Sequence, residues 1–240
     1  MAPVKKVRFC EPAAHERRLK LTDVIGFVAQ NGYAREASRC AGLNRETWRG
    51  IPARLSASEA DRVRRDHPLW QAIINLRHGK WKRTRLSCAA YRGHLARVRE
   101  LCDWHADIEA ADSGGFTPLY YASQQGHLDI VCELLARGAN VEAATQGGWT
   151  SLLVASENGH LSIVLELLAR GANTEAETQK LGLTSLINAS WNGHVDVVRA
   201  LIAAGAYNHH FDNFGRSAAS EACSLGGTLA SRKAILSLLA

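Results

Sequence analysis

The chain has 240 residues, 46% of them hydrophobic, which is enough to bury a sizeable core. No stretch approaches the ~20 consecutive apolar residues of a membrane span, and the basic residues 1–10 lack the apolar run of a secretory segment. The six cysteines show no metal-ligand spacing. We therefore expect reduced cysteines in an intracellular protein, cytoplasmic or nuclear.

The net charge of +6 is divided unevenly along the chain. Residues 1–85 contain 19 Lys and Arg and 8 Asp and Glu, a balance of +11, whereas residues 86–240 contain 10 and 15, a balance of −5. A basic segment of this kind attracts acidic partners, and it also serves simply as a soluble surface. The sequence therefore predicts a basic N-terminal part followed by an acidic remainder.

The N-terminal part is predicted to contain a tail and a small helical module. Residues 1–18 are polar and basic with two prolines, so we expect them to be largely disordered. Residues 19–82 are predicted to be helical, with an apolar helix that begins near Leu21 and a later one that begins at Pro68.

Residues 20–76 of this module resemble an F-box. The shared pattern is Leu21-x-Asp23-Val24 before an apolar helix, then Trp48-Arg49, then Leu69-Trp70, with Thr22 where that family has a proline. The resemblance implies that the module docks an adaptor subunit. The protein would then be a substrate receptor of a cullin-type ubiquitin ligase.

The rest of the chain, residues 83–240, is built from a repeated unit. A Gly-His pair recurs at steps of 33, 33 and 34 residues: Gly93-His94, Gly126-His127, Gly159-His160 and Gly193-His194. A fixed period of this length is typical of stacked repeats. One unit cannot bury both of its apolar faces alone, so we expect neighbouring units to stack into a solenoid.

Each unit has the pattern of two short helices. Thr117 can cap the first helix, and Gly126 breaks that helix at a turn. Apolar residues at helical spacing in 128–135 then predict a second helix. A glycine such as Gly138 ends it in the left-handed conformation, and the first unit has His105 at that place, where a side chain is strained.

The unit resembles the ankyrin repeat. In residues 114–145, GGFTPLYYASQQGHLDIVCELLARGANVEAAT, the resemblance rests on the Thr-Pro-Leu start, the Ala-x-x-x-Gly-His middle, the Val-x-x-Leu-Leu second helix and the Gly-Ala-Asn exit. It implies an all-α solenoid of about four to five helix-turn-helix repeats joined by finger loops. It also implies that the recurring histidine is structural and ties loop backbone together.

The resemblance further implies a non-enzymatic module that binds a protein partner on the concave face of the array. The sequence itself contains no catalytic constellation and no phosphate-binding motif. Its recurring histidines are strung along an axis, whereas metal ligands must converge on one point. We therefore expect a monomer with no cofactor, no metal and no enzymatic activity.

The candidate partner-binding residues follow from the register of the units. The residue before the capping position of each finger is apolar in three consecutive units, and exposed aromatic patches usually mark partner sites. The alternative is that these residues pack against adjacent fingers. The finger positions are Phe116, Trp149, Leu183 and, in the last unit, Arg216; the first-helix positions are Tyr91, Arg92, Tyr121, Gln124, Gln125, Glu157, Asn158, Trp191 and Asn192.

Two other interpretations of the N-terminal part stay open. Solenoids need a cap over their first repeat, and the apolar residues from Leu69 to Ile74 suit that role. The arginines of residues 1–85, with Trp48, Trp70 and Trp81 among them, also fit association with nucleic acid.

Overall fold

The computed structural model describes residues 74–77, 82–222 and 228–240, all within a unit that spans Gln71–Ala240. These residues form ten α-helices and no extended sheet, so the predicted all-α class is confirmed. No helix in the described ranges is both long enough and apolar enough to cross a membrane. The helices are α1 (Arg85–Tyr91), α2 (Leu95–Asp103), α3 (Pro118–Gln125), α4 (Leu128–Ala136), α5 (Ser151–Glu157), α6 (Leu161–Ala169), α7 (Ser185–Asn192), α8 (Val195–Ala203), α9 (Ala218–Ala222) and α10 (Leu229–Leu239).

Most predictions for the N-terminal part lie outside the described residues. These are the disorder of residues 1–18, the helices predicted within residues 19–73 and the F-box-like pattern from Leu21 to Trp70. The tryptophans Trp48, Trp70 and Trp81 also lie outside them. All of these stay predictions.

The helices pack in two rows. The odd-numbered helices lie side by side in one row, the even-numbered helices lie in a second, and the two helices of each pair pack on each other. Leu119 and Ala122 of α3 and Val131 and Leu134 of α4 form the core of one pair, and each is at most 1% exposed. Because each pair is covered by its neighbours, adjacent repeats stabilise one another.

A threonine starts each of the first four odd-numbered helices. The side-chain oxygen of Thr117 accepts a hydrogen bond from the backbone N–H of Tyr120 at the first turn of α3. This satisfies one of the N–H groups that a helix leaves free at its start. The predicted capping role of Thr117 is confirmed, and Thr84, Thr150 and Thr184 cap α1, α5 and α7 in the same way.

The Gly-His pair joins one repeat to the next. Gly126 has a φ of +81°, and a Cβ placed on it would lie 2.8 Å from the His160 ring of the following repeat. The His160 ring therefore occupies the space that a side chain at Gly126 would need. Its Nε2 lies 3.2 Å from the backbone oxygen of Gln124. Since a carbonyl oxygen can only accept, Nε2 must carry the proton and donate it.

The same tie recurs at two more repeats, which confirms the structural role of His127, His160 and His194. His127 Nε2 lies 3.3 Å from the Tyr91 oxygen, and His194 Nε2 lies 3.0 Å from the Glu157 oxygen. Each histidine thus binds the last turn of the preceding repeat's first helix. The histidines are separate ties and do not converge on one point.

Left-handed residues follow the even-numbered helices. Gly138, Gly171 and Gly205 have φ values of +89°, +81° and +89°, as their positions after the second helices predict. In the first repeat the equivalent residue is His105, with a φ of +58°. The predicted strain at His105 is therefore present in the structure.

A second series of ties links the loops that follow the even-numbered helices. The backbone N–H of Asn140 donates to the Glu109 carboxylate at 2.8 Å, and that of Asn173 donates to Glu142 at 2.8 Å. The N–H of Tyr207 donates to Glu175 at 3.0 Å. These exposed glutamates therefore hold the register between neighbouring repeats.

Three cysteines lie among the described residues, and none of them forms a disulfide. They are Cys88, Cys102 and Cys132. Burial raises the pKa of Cys102 to about 11, so its thiol stays protonated near neutral pH.

Candidate partner-binding surface

A buried oxygen holds the base of each finger loop. Asp112 accepts hydrogen bonds from the backbone N–H groups of Gly114 at 2.8 Å and Phe116 at 3.1 Å. Thr145 and Asp212 bond the equivalent N–H groups of their own fingers. The loop that presents the residue before each capping position is therefore fixed from within.

Two rows of side chains run along the array. We call the residues just before the capping positions the finger row: Arg83, Phe116, Trp149, Leu183 and Arg216. We call four equivalent residues near the ends of the odd-numbered helices the helix row: Tyr91, Gln124, Glu157 and Trp191.

The predicted site residues differ in exposure. Tyr91 is 39% exposed, and Arg92, Gln125 and Asn158 are also exposed. A second group is half-buried and keeps part of each side chain accessible. Its members are Phe116, Gln124, Trp149, Glu157, Trp191 and Asn192.

The prediction that Tyr121 is exposed is wrong, because the residue is 2% exposed. Its hydroxyl donates to the buried Asp112 carboxylate at 2.6 Å and accepts from Arg83 Nε at 2.8 Å. The Tyr91 ring meets it edge-on with centroids 5.7 Å apart. Burial, followed by the hydrogen bond to Asp112, raises the pKa of Tyr121. Tyr121 supports the surface from beneath.

The placement of Leu183 in an exposed patch is also wrong, because Leu183 is 5% exposed. The finger of this repeat is one residue longer than the others. The Leu183 N–H donates to Thr178 Oγ1, five residues earlier, whereas the equivalent bonds of the other fingers span four residues. Leu181 is exposed instead, at 37%. The inserted residue has therefore displaced the apolar side chain that faces outwards.

Phe116 and Trp149 pack against a buried cluster of Tyr120, Tyr121 and Val154. The ring centroids of Phe116 and Tyr120 are 4.8 Å apart. The inner sides of both rings therefore pack on first-helix residues, whereas the alternative named packing against adjacent fingers. Their outer sides remain as the aromatic part of the surface.

An arginine lies at each end of the finger row. The Arg83 guanidinium lies 4.4 Å from the centroid of the Tyr121 ring and 5.2 Å from that of Tyr91. Its Nε is 3.8 Å from the Asp112 carboxylate. Sequence reasoning missed Arg83, although it holds the same register position as Phe116.

The arrangement at the other end of the row is similar. The Arg216 guanidinium lies 5.0 Å from the ring centroids of both Trp191 and Phe214. It binds the Asp212 carboxylate through two nitrogens, at 2.7 and 2.6 Å, and its Nε is 3.3 Å from Glu221. Burial alone would raise the pKa of Asp212, but the hydrogen bonds from Arg216 hold it below its usual value.

Glu157 lies in the middle of the helix row. Within the described part of the chain, its carboxylate makes no hydrogen bond and no ion pair. Burial raises its pKa. Burial and then the nearby Glu157 charge raise the pKa of Tyr120 to about 12. The surface therefore contains a half-buried anion without a cation.

Sequence reasoning also missed an apolar group at the tips of the last two fingers. Phe211 and Phe214 are 62% and 66% exposed, and Leu181 lies in the neighbouring finger. The Asn213 N–H donates to the Leu181 oxygen at 3.0 Å and joins these fingers. The sequence signal that could have identified this group is the presence of large apolar residues in otherwise polar loops.

Stacked helix pairs tied by Gly-His turns define a helical-repeat protein. A family model described as ankyrin repeats (3 copies) matches residues 63–145 and 142–213. Together these matches span more than half of the chain, so the chain belongs to the ankyrin repeat family. No curated protein is similar enough to this chain to count as a relative. Ankyrin repeats are generally protein–protein interaction modules, and the predicted family is confirmed.

Proposed function

We propose that this protein is a non-enzymatic binding module that holds a protein partner against the finger row and the helix row, on the concave face of the array. The observation that carries the proposal is a contrast between two kinds of position. The scaffold positions repeat: capping Thr, core Ala, and Gly-His. The helix row changes from Tyr to Gln, Glu and Trp in successive repeats. Such variation on a constant scaffold is how repeat arrays acquire specificity.

The chemistry of the surface supports a protein partner. It combines partly exposed aromatic rings, Tyr91, Trp149 and Trp191, with amide side chains between them. A few residues carry most of the binding energy in protein interfaces, and tryptophan and tyrosine are enriched among them. Polar groups at the rim fix the orientation of the partner.

The first prediction tests this surface without disturbing its packing. Gln125 and Asn158 are exposed at the ends of α3 and α5. Gln125→Lys and Asn158→Lys should each weaken partner binding by about tenfold or more, because a long charged side chain would displace contacts. Lysine is well tolerated at helix C-termini, so Gln125→Lys should change thermal unfolding little. Asn158→Lys should lose only about 1 kcal/mol of stability, because it removes the hydrogen bond from Asn158 Nδ2 to the Val154 carbonyl.

Affinity purification with mass spectrometry, followed by titration of the captured protein, measures the effect. Ser162→Lys is the matched control, because Ser162 is exposed on α6, the second helix of the same repeat as Asn158. It should bind as the wild type does. Equal binding by all three variants would contradict the proposed surface.

A further inference from the structure

The chain places its own arginines at both ends of the binding surface, in the same chemical setting. Arg83 and Arg216 each lie over two aromatic rings and beside a buried aspartate of the finger base. Guanidinium groups favour this setting because they stack on rings and bond carboxylates at the same time. Each end therefore shows how this surface holds a guanidinium.

The middle of the surface also has an aromatic ring and a carboxylate, but no arginine of the described residues lies with them. The finger row there holds Trp149, and the helix row holds the Glu157 carboxylate. Glu157 lies three residues after Val154 on α5, so the two share a helix face. Val154 and Tyr120 belong to the buried cluster against which Trp149 packs. Glu157 therefore lies on the face of α5 that contributes to this aromatic cluster.

The anion in this place has a cost that no cation among the described residues offsets. Half-buried carboxylates are destabilised unless a cation or a donor is near them. The buried aspartates at both ends have arginine partners, whereas the described residues supply none to Glu157. A cation from outside the chain would remove this cost on binding.

We propose that Glu157 and Trp149 form a subsite for an arginine side chain of the protein partner. The inference rests on the proposed function and names the chemistry of one contact. Arginine fits better than lysine, because its planar group stacks on rings, as Arg83 and Arg216 do. An apolar anchor fits worse, because it would bury the carboxylate without a donor.

The test uses the full chain and two synthetic peptides, acetyl-Gly-Arg-Gly-amide and the same peptide with citrulline, the neutral isostere of arginine. Binding is followed by nuclear magnetic resonance at the Trp149 indole N–H and the Asn158 backbone N–H. We expect a saturable shift with the arginine peptide. We expect at least about tenfold weaker binding of the citrulline peptide, the loss associated with one charge-assisted contact.

Glu157→Gln keeps the shape of the side chain and removes its charge, and it should weaken arginine binding to a similar extent. Asp129→Asn is the matched control, because Asp129 is an exposed carboxylate on α4. It should leave the arginine titration unchanged. Absence of a saturable shift, equal binding of both peptides, or an unchanged titration in Glu157→Gln overturns the inference.

Binding of the captured partner separates this inference from the proposed function. If Asn158→Lys abolishes partner binding and Glu157→Gln leaves it unchanged, the proposed surface stands and the arginine subsite falls. If neither variant affects the partner, the proposed function falls as well.

Discussion

At the scale of single residues, backbone conformation constrains this chain as strongly as side-chain contacts do. The second residue after each of α2, α4, α6 and α8 adopts a positive φ, which glycine tolerates and other residues resist. His105 is the exception, and it is exposed, so its side chain contributes no buried packing there. The strain is therefore a local cost that substitution can remove.

His105→Gly is predicted to stabilise the protein. Removal of the Cβ from a left-handed residue should raise the free energy of unfolding by about 1 kcal/mol. Chemical denaturation of the full chain measures it. Gly138→Ala is the converse test, because nothing lies within 4 Å of the added Cβ and only the φ of +89° opposes it. It should destabilise by about the same amount, and an unchanged midpoint in both variants would contradict the argument.

At the scale of the helix pair, the Gly-His turn joins repeats that would be unstable alone. The His160 ring fills the space beside Gly126 and donates to the Gln124 carbonyl. Because the tie crosses from one repeat to the next, it contributes to the interface between repeats, on which solenoid stability depends. The motif that recurs most strictly in the sequence is thus part of the scaffold.

His160→Ala should lower the free energy of unfolding by about 1–3 kcal/mol, because it leaves the Gln124 carbonyl without its donor and opens a gap beside Gly126. His94 is the matched control, since it has the same place in the first repeat but is exposed, and its side chain makes no hydrogen bond or ion pair with the described part of the chain. His94→Ala should change stability by less than about 0.5 kcal/mol. Equal losses would show that the tie itself contributes little.

At the scale of the whole molecule, the array is accompanied by a basic N-terminal part of a different character. The net charge of residues 1–85 is +11 and that of residues 86–240 is −5. The F-box-like, capping and nucleic-acid interpretations of the N-terminal part all stay predictions. They differ in the partner that each requires.

The F-box-like interpretation predicts that a ubiquitin-ligase adaptor copurifies with the full chain. Leu21→Ala and Val24→Ala should each remove the adaptor, because both residues belong to the pattern that carries the resemblance. Quantitative mass spectrometry of tagged protein measures the adaptor, with Ser162→Lys as the control that should retain it. A wild-type purification without adaptor would contradict this interpretation.

Much of the candidate site could be placed from the sequence, because the period of the repeat assigns every residue to a register position. Phe116, Trp149 and Trp191 have accessible side chains in the structure, as their register predicts. The same register assigns Tyr121 and Leu183 to the surface, and yet both residues are buried. Register gives the position along a helix or loop but not which neighbouring side chains cover it.

The sequence by itself determined the fold of this protein, because the caps, turns and apolar spacing of each repeat are local properties that recur with a fixed period. Only the tertiary structure decided the composition of the surface. The Arg83 contact with Tyr121 spans 38 residues, and the one-residue insertion that buries Leu183 acts through the shape of its loop. Among the described residues, folding likewise brings an arginine to Asp112 and another to Asp212 but none to the Glu157 carboxylate.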